Sequence, residues 1–263
     1  MPERHPFFGP LGGEKMTKIK KHKPRNLYIL PSLFTTANLF CGFFALVSAI
    51  GGHFFRAAVA ILTAMIFDVL DGRIARFTNA TSRFGLEYDS LCDLVSFGVS
   101  PAILAYTYAL ESYGRYGWLA AFLYVATAAL RLARFNVQTS TDKAYFTGLP
   151  SPAAAGLVAT MVLFTRWLGL DPPVRHLAIL AIVYILSYLM VSNIPYFSFK
   201  RVYFAERHPF YSLVAFVLIL TVVAAEPPLM LFAIFLLYSL SGPLLLALRG
   251  WRRERVPISE KSF

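Results

Sequence analysis

Four aspartates lie in one short stretch of the chain, and their spacing divides them into two pairs. Asp68 and Asp71 are three residues apart, whereas Asp89 and Asp93 are four residues apart. Residues three or four apart on a helix project from the same face, so each pair can present both carboxylates to one point. Two helices joined by a short turn would therefore bring all four carboxylates together.

Carboxylates that cluster without histidine or cysteine indicate a site for hard, oxygen-preferring cations. Mg²⁺ and Mn²⁺ fit such a ligand set better than zinc does. A pair of divalent ions held by carboxylates is typical of phosphoryl chemistry. We therefore predict a site for two ions of Mg²⁺ or Mn²⁺. The alternative is a buried network of ion pairs with Arg73, Arg76 and Arg83.

The elements that must position these carboxylates are membrane helices. Of the 263 residues, 57% are hydrophobic and only 15% are charged, which leaves too little polar surface for a water-soluble globule. Several apolar stretches reach the roughly 20 residues that a helix needs to cross a bilayer. A charge inside such a helix costs about 3 kcal/mol unless it is paired or hydrated, so four carboxylates here need cations.

Apolar runs bounded by glycine, proline and charge predict an all-α integral membrane protein with about eight transmembrane helices. Six helices would form a catalytic core within residues 28–200, and two more would follow within residues 201–250. Basic tails at 1–27 and 251–263 would complete the chain. The last two helices would be structural, packing against the core or forming a contact in a homodimer. The predicted helices cover residues 32–51, 55–77, 84–111, 116–135, 150–170, 175–197, 209–225 and 228–248.

The distribution of basic residues orients these helices. With the N-terminus inside, nearly all of the 25 Lys and Arg residues lie on the cytoplasmic side. This asymmetry follows the positive-inside rule and predicts two cytoplasmic termini, with the aspartates toward cytoplasmic helix ends. Topology and attraction to anionic membrane lipids thus explain the basic excess, which does not indicate a nucleic-acid partner. The exceptions, on the outer side, are Arg56, Arg115, Arg166 and Arg175.

Small residues and one arginine accompany the aspartates. Gly72 and Gly85 leave room for a nucleotide or for the facing helix, and Ala75 keeps the same face open. Glycine within a helix costs about 1 kcal/mol relative to alanine, which favours a ligand or a packing reason for it. Arg76 would meet phosphate groups, or would anchor the helix end at the membrane surface.

The stretch from Asp68 to Asp93 matches the pattern D-x-x-D-G-x-x-A-R-x(8)-G-x-x-x-D-x-x-x-D without a substitution. It thereby resembles the CDP-alcohol phosphatidyltransferases, which transfer the phosphatidyl group of CDP-diacylglycerol to an alcohol and release CMP. The resemblance implies that Asp68, Asp71 and Asp89 hold the metals. It also implies that Asp93 shares a metal and acts as general base. The residues implied to bind CDP are Asp68, Gly72, Ala75, Arg76 and Gly85.

Three flanking stretches resemble the bacterial and archaeal phosphatidylserine synthases of that family. They cover residues 30–42, 131–136 and 148–155, and the first departs from the usual pattern by having Ser32 where asparagine is common. The resemblance implies that L-serine is the acceptor. It also implies a multi-pass enzyme of the cell (inner) membrane whose active site faces the cytoplasm.

The motif itself does not encode the acceptor alcohol, and five other residues are candidates for binding it. Arg131 and Arg134 are three apart on a helix and could offer a fork to the carboxylate of serine, or bind a phosphate. Either arginine could equally anchor a helix end at lipid headgroups. The other candidates, each with a helix-packing or helix-end alternative, are Asn38, Ser96 and Asn136.

Other functions are compatible with these residues. Within the family, the acceptor could be glycerol 3-phosphate or an inositol derivative. A cation-coupled transporter would also use membrane carboxylates, but it predicts sites near the bilayer midplane and an internal repeat, and no repeat is visible. The sequence has no pair of His-x-Lys motifs, which synthesis through a phosphatidyl-histidine would use. We therefore predict direct transfer to the acceptor.

Overall fold

The computed structural model describes residues 29–77, 83–137, 145–197 and 223–253, together with single helical positions at 214, 217, 218 and 221. Two short strands, β1 (Tyr145–Thr147) and β2 (Pro195–Phe197), pair antiparallel. The long helices are α1 (Ile29–Ile50), α2 (Phe54–Phe77), α3 (Arg83–Tyr113), α4 (Arg115–Val137), α5 (Ser151–Leu168), α6 (Pro172–Val191) and α7 (Pro227–Arg253).

Six helices in the described ranges are long and apolar enough to cross a membrane, namely α1 and α3 to α7. The remaining helix, α2, has 24 residues but carries two aspartates and three arginines. Large apolar side chains are exposed on the outer faces, among them Phe40, Trp118 and Tyr188. Such a surface suits contact with lipid rather than water. The chain is therefore a multi-pass membrane protein.

The first five predicted helices, from 32–51 to 150–170, agree with α1 to α5 within a few residues. The predicted helix 175–197 is wrong at its end, because α6 ends at Val191 and Ser192 has an extended backbone with ψ of 159°. Pro195 lies in β2 instead, since proline lacks the N–H that would continue a helix. Within the described ranges, the regular structure is thus helical apart from one small sheet. The predicted helix 228–248 lies within α7, whereas 209–225 falls largely outside the described residues.

Alanines form the contact between α1 and α2. The side chains of Ala45, Ala49, Ala57 and Ala64 are fully buried, and small residues of this kind let two membrane helices approach closely. The chain reverses between the two helices at Gly52, whose φ of 74° lies in the left-handed region that glycine adopts without strain. This antiparallel arrangement brings the start of α1 level with the end of α2, where two of the aspartates lie.

Helix α3 changes its geometry directly after Asp93. Residues Leu94–Val99 form a π-helical segment, a feature that is frequent at functional sites. Pro101 follows within the same helix and has no N–H to donate to the preceding turn. Ser100 holds this region, because its hydroxyl donates to the carbonyl of Gly42 in α1 at 2.7 Å. The segment that carries Asp93 is thereby fixed against α1.

Helices α1 and α3 approach so closely at Gly42 that we expect Gly42→Ala to destabilise the fold. A Cβ on Gly42 would lie 2.7 Å from the Cα of Ser96, and a backbone atom cannot move aside unless its helix shifts. We expect a loss of about 1–3 kcal/mol in the free energy of unfolding, measured by thermal unfolding in detergent. Gly51→Ala is the matched control, since the nearest atom to its Cβ would lie 3.5 Å away. Equal unfolding midpoints for the two variants would contradict this close contact.

Helix α7 packs along α5 and β2. The ring of Phe232 stacks on that of Phe164, with 4.6 Å between centroids. The hydroxyl of the buried Tyr196 in β2 donates to the carbonyl of Ser239 at 3.0 Å, and its ring lies against Gly242. Packing against the core, one of the two predicted roles for the last helices, is therefore observed for α7.

Candidate active site

The structure brings three of the four aspartates to one point. Asp68 lies in the second half of α2, whereas Asp89 and Asp93 lie in the first three turns of α3. One carboxylate oxygen from each of the three lies within 4.8 Å of the others. This spacing allows a single cation to contact all three carboxylates. We call Asp68, Asp89 and Asp93 the carboxylate cluster.

Asp71 lies beside the carboxylate cluster and is held by α1. Asp71 is buried, and its carboxylate accepts a hydrogen bond from the hydroxyl of Thr35. It also lies within hydrogen-bonding range of the carboxyl group of Asp89. Two carboxylates this close repel each other unless a proton or a cation lies between them. Asp71 is therefore placed to contribute to the same cation site.

Asn38 and Ser96 support Asp93 from the buried side. The side-chain amide of Asn38 donates to Oδ1 of Asp93 at 3.0 Å. The hydroxyl of Ser96 in turn donates to the backbone carbonyl of Asn38 at 3.1 Å. Both side chains are fully buried. These contacts make them positioning residues for Asp93, and direct binding of the acceptor by either one stays a prediction.

Two buried oxygens at this site lack a hydrogen-bond partner among the described residues, namely Oδ1 of Asp89 and Oδ1 of Asn38. A buried acceptor without a partner costs about 1–3 kcal/mol, so such atoms are rare and point to an unseen partner. A cation would satisfy the carboxylate oxygen. For the alternative network of ion pairs, Arg73 and Arg83 are exposed and pair with none of the four aspartates within the described ranges, whereas the side chain of Arg76 lies outside them. The site therefore fits a divalent cation.

The face of α2 around Gly72 is open. A Cβ built on Gly72 would have no atom within 4 Å, so a ligand can approach the backbone there. Gly85 lies in the first turn of α3 and is partly exposed. The side chains of Ala75 and Arg76 lie outside the described residues. Nucleotide binding by these residues stays a prediction, with which the open face at Gly72 is compatible.

Arg131 of α4 reaches the edge of the carboxylate cluster. Its guanidinium lies within electrostatic range of Asp68 and Asp93, and its Nη1 donates to the hydroxyl of Ser151 at 2.7 Å. Tyr238 of α7 approaches the same guanidinium. The Nε of Arg131 is buried and has no hydrogen-bond partner in the described part of the chain. Arg131 therefore offers a cation with an unsatisfied donor beside the aspartates.

Arg134 and Asn136 make their hydrogen bonds with residues that are not members of the carboxylate cluster. The Nη2 of Arg134 donates to Oδ1 of Asn193 at 2.7 Å, which ties the end of α4 to the segment after α6. Asn136 is exposed, and its amide donates to Ser90 and Glu87 of α3 at 3.0 and 3.3 Å. The structure thus directs Arg131 to the site and Arg134 to a helix-end contact. Acceptor binding by Arg134 and Asn136 stays a prediction.

This site lies in a part of the chain that matches a known family. The family model for CDP-alcohol phosphatidyltransferase matches residues 28–192, which is more than half of the sequence. The chain belongs to the CDP-alcohol phosphatidyltransferase family. The match contains α1 to α6 and all four aspartates, and it ends before β2. The pattern of aspartates noted in the sequence is therefore that of a CDP-alcohol phosphatidyltransferase.

Several relatives share one name, CDP-diacylglycerol–serine O-phosphatidyltransferase. The protein of Helicobacter pylori (strain ATCC 700392 / 26695) is 43% identical over 178 residues, which cover 67% of this chain and 75% of that protein. That of Mycobacterium leprae (strain TN) is 35% identical over 237 residues, which cover 86% of this chain and 77% of that protein. That of Bacillus subtilis (strain 168) is 37% identical over 172 residues, which cover 65% of this chain and 92% of that protein. The similarity thus extends well beyond the aspartate motif.

Three side chains at this CDP-alcohol phosphatidyltransferase site are absent from the sequence predictions. Thr35 contacts Asp71, and Ser151 contacts Arg131, although both lie in the flanking stretches 30–42 and 148–155 whose resemblance could have indicated them. Tyr238 lies beyond the residues that match the family, in a helix predicted to be structural. No local signal distinguishes it, because its approach to Arg131 depends on how α7 packs.

Proposed function

We propose that this chain transfers the phosphatidyl group of CDP-diacylglycerol to the hydroxyl group of L-serine, giving phosphatidylserine and CMP. The observation that carries the proposal is the convergence of Asp68, Asp89 and Asp93 within 4.8 Å, which places family aspartates where one cation can bind. The relatives named for serine support that acceptor, and the similarity to the Mycobacterium leprae protein covers 86% of the chain.

Two ions of Mg²⁺ or Mn²⁺ are the proposed cofactor. The proposed ligands are the carboxylates of the carboxylate cluster together with that of Asp71. Bound ions would stabilise the negative charge that develops on the phosphate oxygens during transfer. The buried Oδ1 of Asp89, which has no hydrogen-bond partner among the described residues, supports this assignment, because a bound cation would satisfy it. The oxygen-only ligand set favours these two metals over zinc.

Asp93 is the proposed general base. Asn38 donates to its Oδ1, which orients the carboxylate and leaves Oδ2 for the proton of the serine hydroxyl. As that proton moves to Asp93, the serine oxygen bonds to the β-phosphorus of CDP-diacylglycerol. The bond from this phosphorus to the oxygen that bridges the α-phosphorus breaks, and CMP leaves with that oxygen. The transfer is direct and forms no covalent bond to the enzyme.

The nucleotide would lie against the open face of α2. Gly72 provides the space, and Asp68, Ala75, Arg76 and Gly85 complete the proposed CDP site, as the resemblance implies. Binding there places the pyrophosphate between α2 and the start of α3, next to the carboxylate cluster. We further propose that this end of the helices faces the cytoplasm at the inner membrane, on the strength of the basic residues around it. A homodimer also stays a prediction.

Among the candidate acceptor residues, the contacts favour Arg131 as the partner of the serine carboxylate. Its guanidinium lies near Asp93, the proposed base, and its Nε is a buried donor that a carboxylate would satisfy. Arginine binds carboxylates with two parallel hydrogen bonds, which lysine cannot reproduce. The serine hydroxyl would then lie toward Asp93, because only a short carbon chain separates it from the carboxylate.

We expect Arg131→Lys to raise the KM for serine by about tenfold or more while the KM for CDP-diacylglycerol changes little. The reason is that lysine keeps the charge but loses the two-bond contact. Steady-state kinetics with each substrate varied in turn measures both values. Arg134→Lys is the matched control on the same helix, since Arg134 contacts Asn193 instead. An unchanged KM for serine in Arg131→Lys would reject this role for Arg131.

The experiment that tests the proposed function is release of CMP from CDP-diacylglycerol by the purified protein with Mn²⁺ or Mg²⁺. Serine, glycerol 3-phosphate and inositol are supplied one at a time. The proposal predicts that serine alone supports release. Release with another alcohol but not serine would keep the chemistry and reject the acceptor. A complete lack of release with every alcohol and either metal would reject the enzyme itself and favour a transporter.

A further inference from the structure

A cavity lies at the opposite end of the helices from the carboxylate cluster. It has a volume of about 400 Å³ and is lined by residues of α2, α3, α5 and α6, including Phe54, Tyr108, Arg166 and Arg175. Phe54 begins α2, and Asp68 lies fourteen residues further along the same helix. At 1.5 Å per residue the two ends are about 20 Å apart. The cavity is therefore separate from the site described above.

Arg175 is held in a defined orientation at this cavity. Its Cζ lies 4.7 Å from the centroid of the Tyr108 ring, within the range of a cation–π contact. Its Nη2 donates to Nε2 of His176 at 3.1 Å, and the other ring nitrogen of His176 contacts Ser112 at 3.0 Å. The Tyr108 hydroxyl is itself 3.2 Å from that of Thr165. Arg175 is thus held between Tyr108 of α3 and its own neighbour His176, and is not a freely moving surface side chain.

The cavity lacks a counter-charge for its two arginines. No acidic residue is among the described side chains that line it, and neither Arg166 nor Arg175 forms an ion pair within the described ranges. The Nε of Arg175 is buried and has no hydrogen-bond partner there. A buried guanidinium donor without a partner is costly, so the arrangement calls for an anionic ligand with oxygen acceptors. Arg166 is exposed at the rim and can reach the same ligand.

The surroundings of the rim indicate where that anion comes from. Trp167 and Leu168 directly follow Arg166 and are each 49% exposed, on a helix apolar enough to cross the membrane. A tryptophan beside an arginine at a helix end is typical of the depth at which lipid headgroups lie. Guanidinium groups bind phosphate oxygens with paired hydrogen bonds. The cavity lining thus includes a residue, Arg166, that directly precedes two exposed apolar side chains.

We propose that Arg166 and Arg175 form a binding site for the phosphate group of a phospholipid headgroup, in the leaflet opposite the carboxylate cluster. The phosphate would accept hydrogen bonds from the buried Nε of Arg175 and from Arg166 at the rim. The acyl chains would extend along the exposed apolar surface near Trp167. This site is independent of the phosphatidyl transfer, because it shares no residue with that site.

Thermal unfolding of the delipidated protein in detergent tests the proposal. The probes are dihexanoyl-phosphatidylglycerol, dihexanoylglycerol, which has the same chains but no phosphate, and inorganic phosphate. We expect the phospholipid alone to raise the unfolding midpoint saturably. In Arg166→Gln and in Arg175→Gln its apparent Kd is expected to rise about tenfold or more. Arg115→Gln is the matched control, since Arg115 is an exposed arginine at the start of α4 and lies outside the cavity.

Each outcome of this titration decides the proposal. Equal responses of the wild type and all three variants to the phospholipid would overturn the site. An equal effect of dihexanoylglycerol would show that the chains, not the phosphate, are bound, and would also overturn it. An arginine-dependent effect of inorganic phosphate as strong as that of the lipid would reject the lipid as occupant. If Arg175→Gln fails to fold, Arg166→Gln still tests the site, because Arg166 is exposed and its loss removes no packing contact of the core.

Discussion

Replacing Asp93 with asparagine is expected to lower the rate of serine-dependent CMP release by about 100- to 10,000-fold, the usual contribution of a general base. Asparagine keeps the shape of the side chain but cannot take the proton of the serine hydroxyl. Binding of CDP-diacylglycerol should change little, because Asp68, Asp71 and Asp89 are left in place. Steady-state kinetics gives the rate, and equilibrium binding of CDP-diacylglycerol gives the affinity.

The matched control for this variant is Asp171→Asn. It makes the same chemical change at an exposed aspartate before α6, whose side chain makes no capping hydrogen bond. We expect it to retain the wild-type rate. Turnover near that of the wild type in Asp93→Asn would show that another group, or solvent, takes the proton.

The second large effect is expected from Asp68→Ala, which should lose the metal and CDP-diacylglycerol together. Asp68 contributes one of the three oxygens that converge within 4.8 Å, and alanine puts no oxygen in its place, whereas Asp93→Asn keeps a side-chain oxygen at its position. We expect the affinity for Mn²⁺ to fall by more than about a hundredfold. Mutation of a residue that only hydrogen-bonds to a metal ligand already lowers metal affinity by about 10- to 100-fold. Mn²⁺ titration followed by electron paramagnetic resonance measures the metal, and CDP binding on the same samples measures the nucleotide.

Two comparisons make this result interpretable. Asp171→Ala removes an aspartate from the other end of the helices and should bind Mn²⁺ as the wild type does. Asp93→Asn should lose turnover but keep most of its CDP affinity, so the two variants of the carboxylate cluster are expected to differ. Full CDP affinity in Asp68→Ala would mean that metal and nucleotide binding do not depend on this carboxylate.

The helices and the pairing of the aspartates were predictable because both depend on local periodicity. Spacings of three and four residues fix which side chains share a helix face, whatever the rest of the fold does. The convergence of Asp68 with Asp89 and Asp93 then needs only two adjacent helices. The positions of apolar runs likewise predict α1 to α5, since a bilayer sets the minimum length of each span.

Features that depend on contacts between distant residues were not predictable in this way. Strand β2 exists because residues 195–197 find a partner fifty residues earlier, in β1, and the apolar run before them reads as uninterrupted helix. The π segment after Asp93 likewise lies where α3 packs closely against Gly42 of α1, a contact that local periodicity does not indicate.

The two arginines of α4 show most clearly what spacing along the sequence cannot predict. Arg131 and Arg134 are three apart and would share a face of a regular helix. This spacing predicts that both guanidinium groups bind the same ligand. Their long side chains instead reach different neighbours, Ser151 near the carboxylate cluster and Asn193 after α6. Spacing fixes where a Cβ points, whereas the partner of a flexible guanidinium depends on the packed structure around it.

In the proposed mechanism, this chain joins serine to the phosphatidyl group of CDP-diacylglycerol in one direct step at the carboxylate cluster. The most direct test follows CMP release and the incorporation of labelled serine into lipid in the same reaction, with purified protein and Mn²⁺ or Mg²⁺. We expect the wild type to incorporate one serine for each CMP released. In Asp93→Asn we expect both rates to fall by the same large factor. CMP release without incorporation of serine, or equal incorporation by the wild type and Asp93→Asn, would contradict this mechanism.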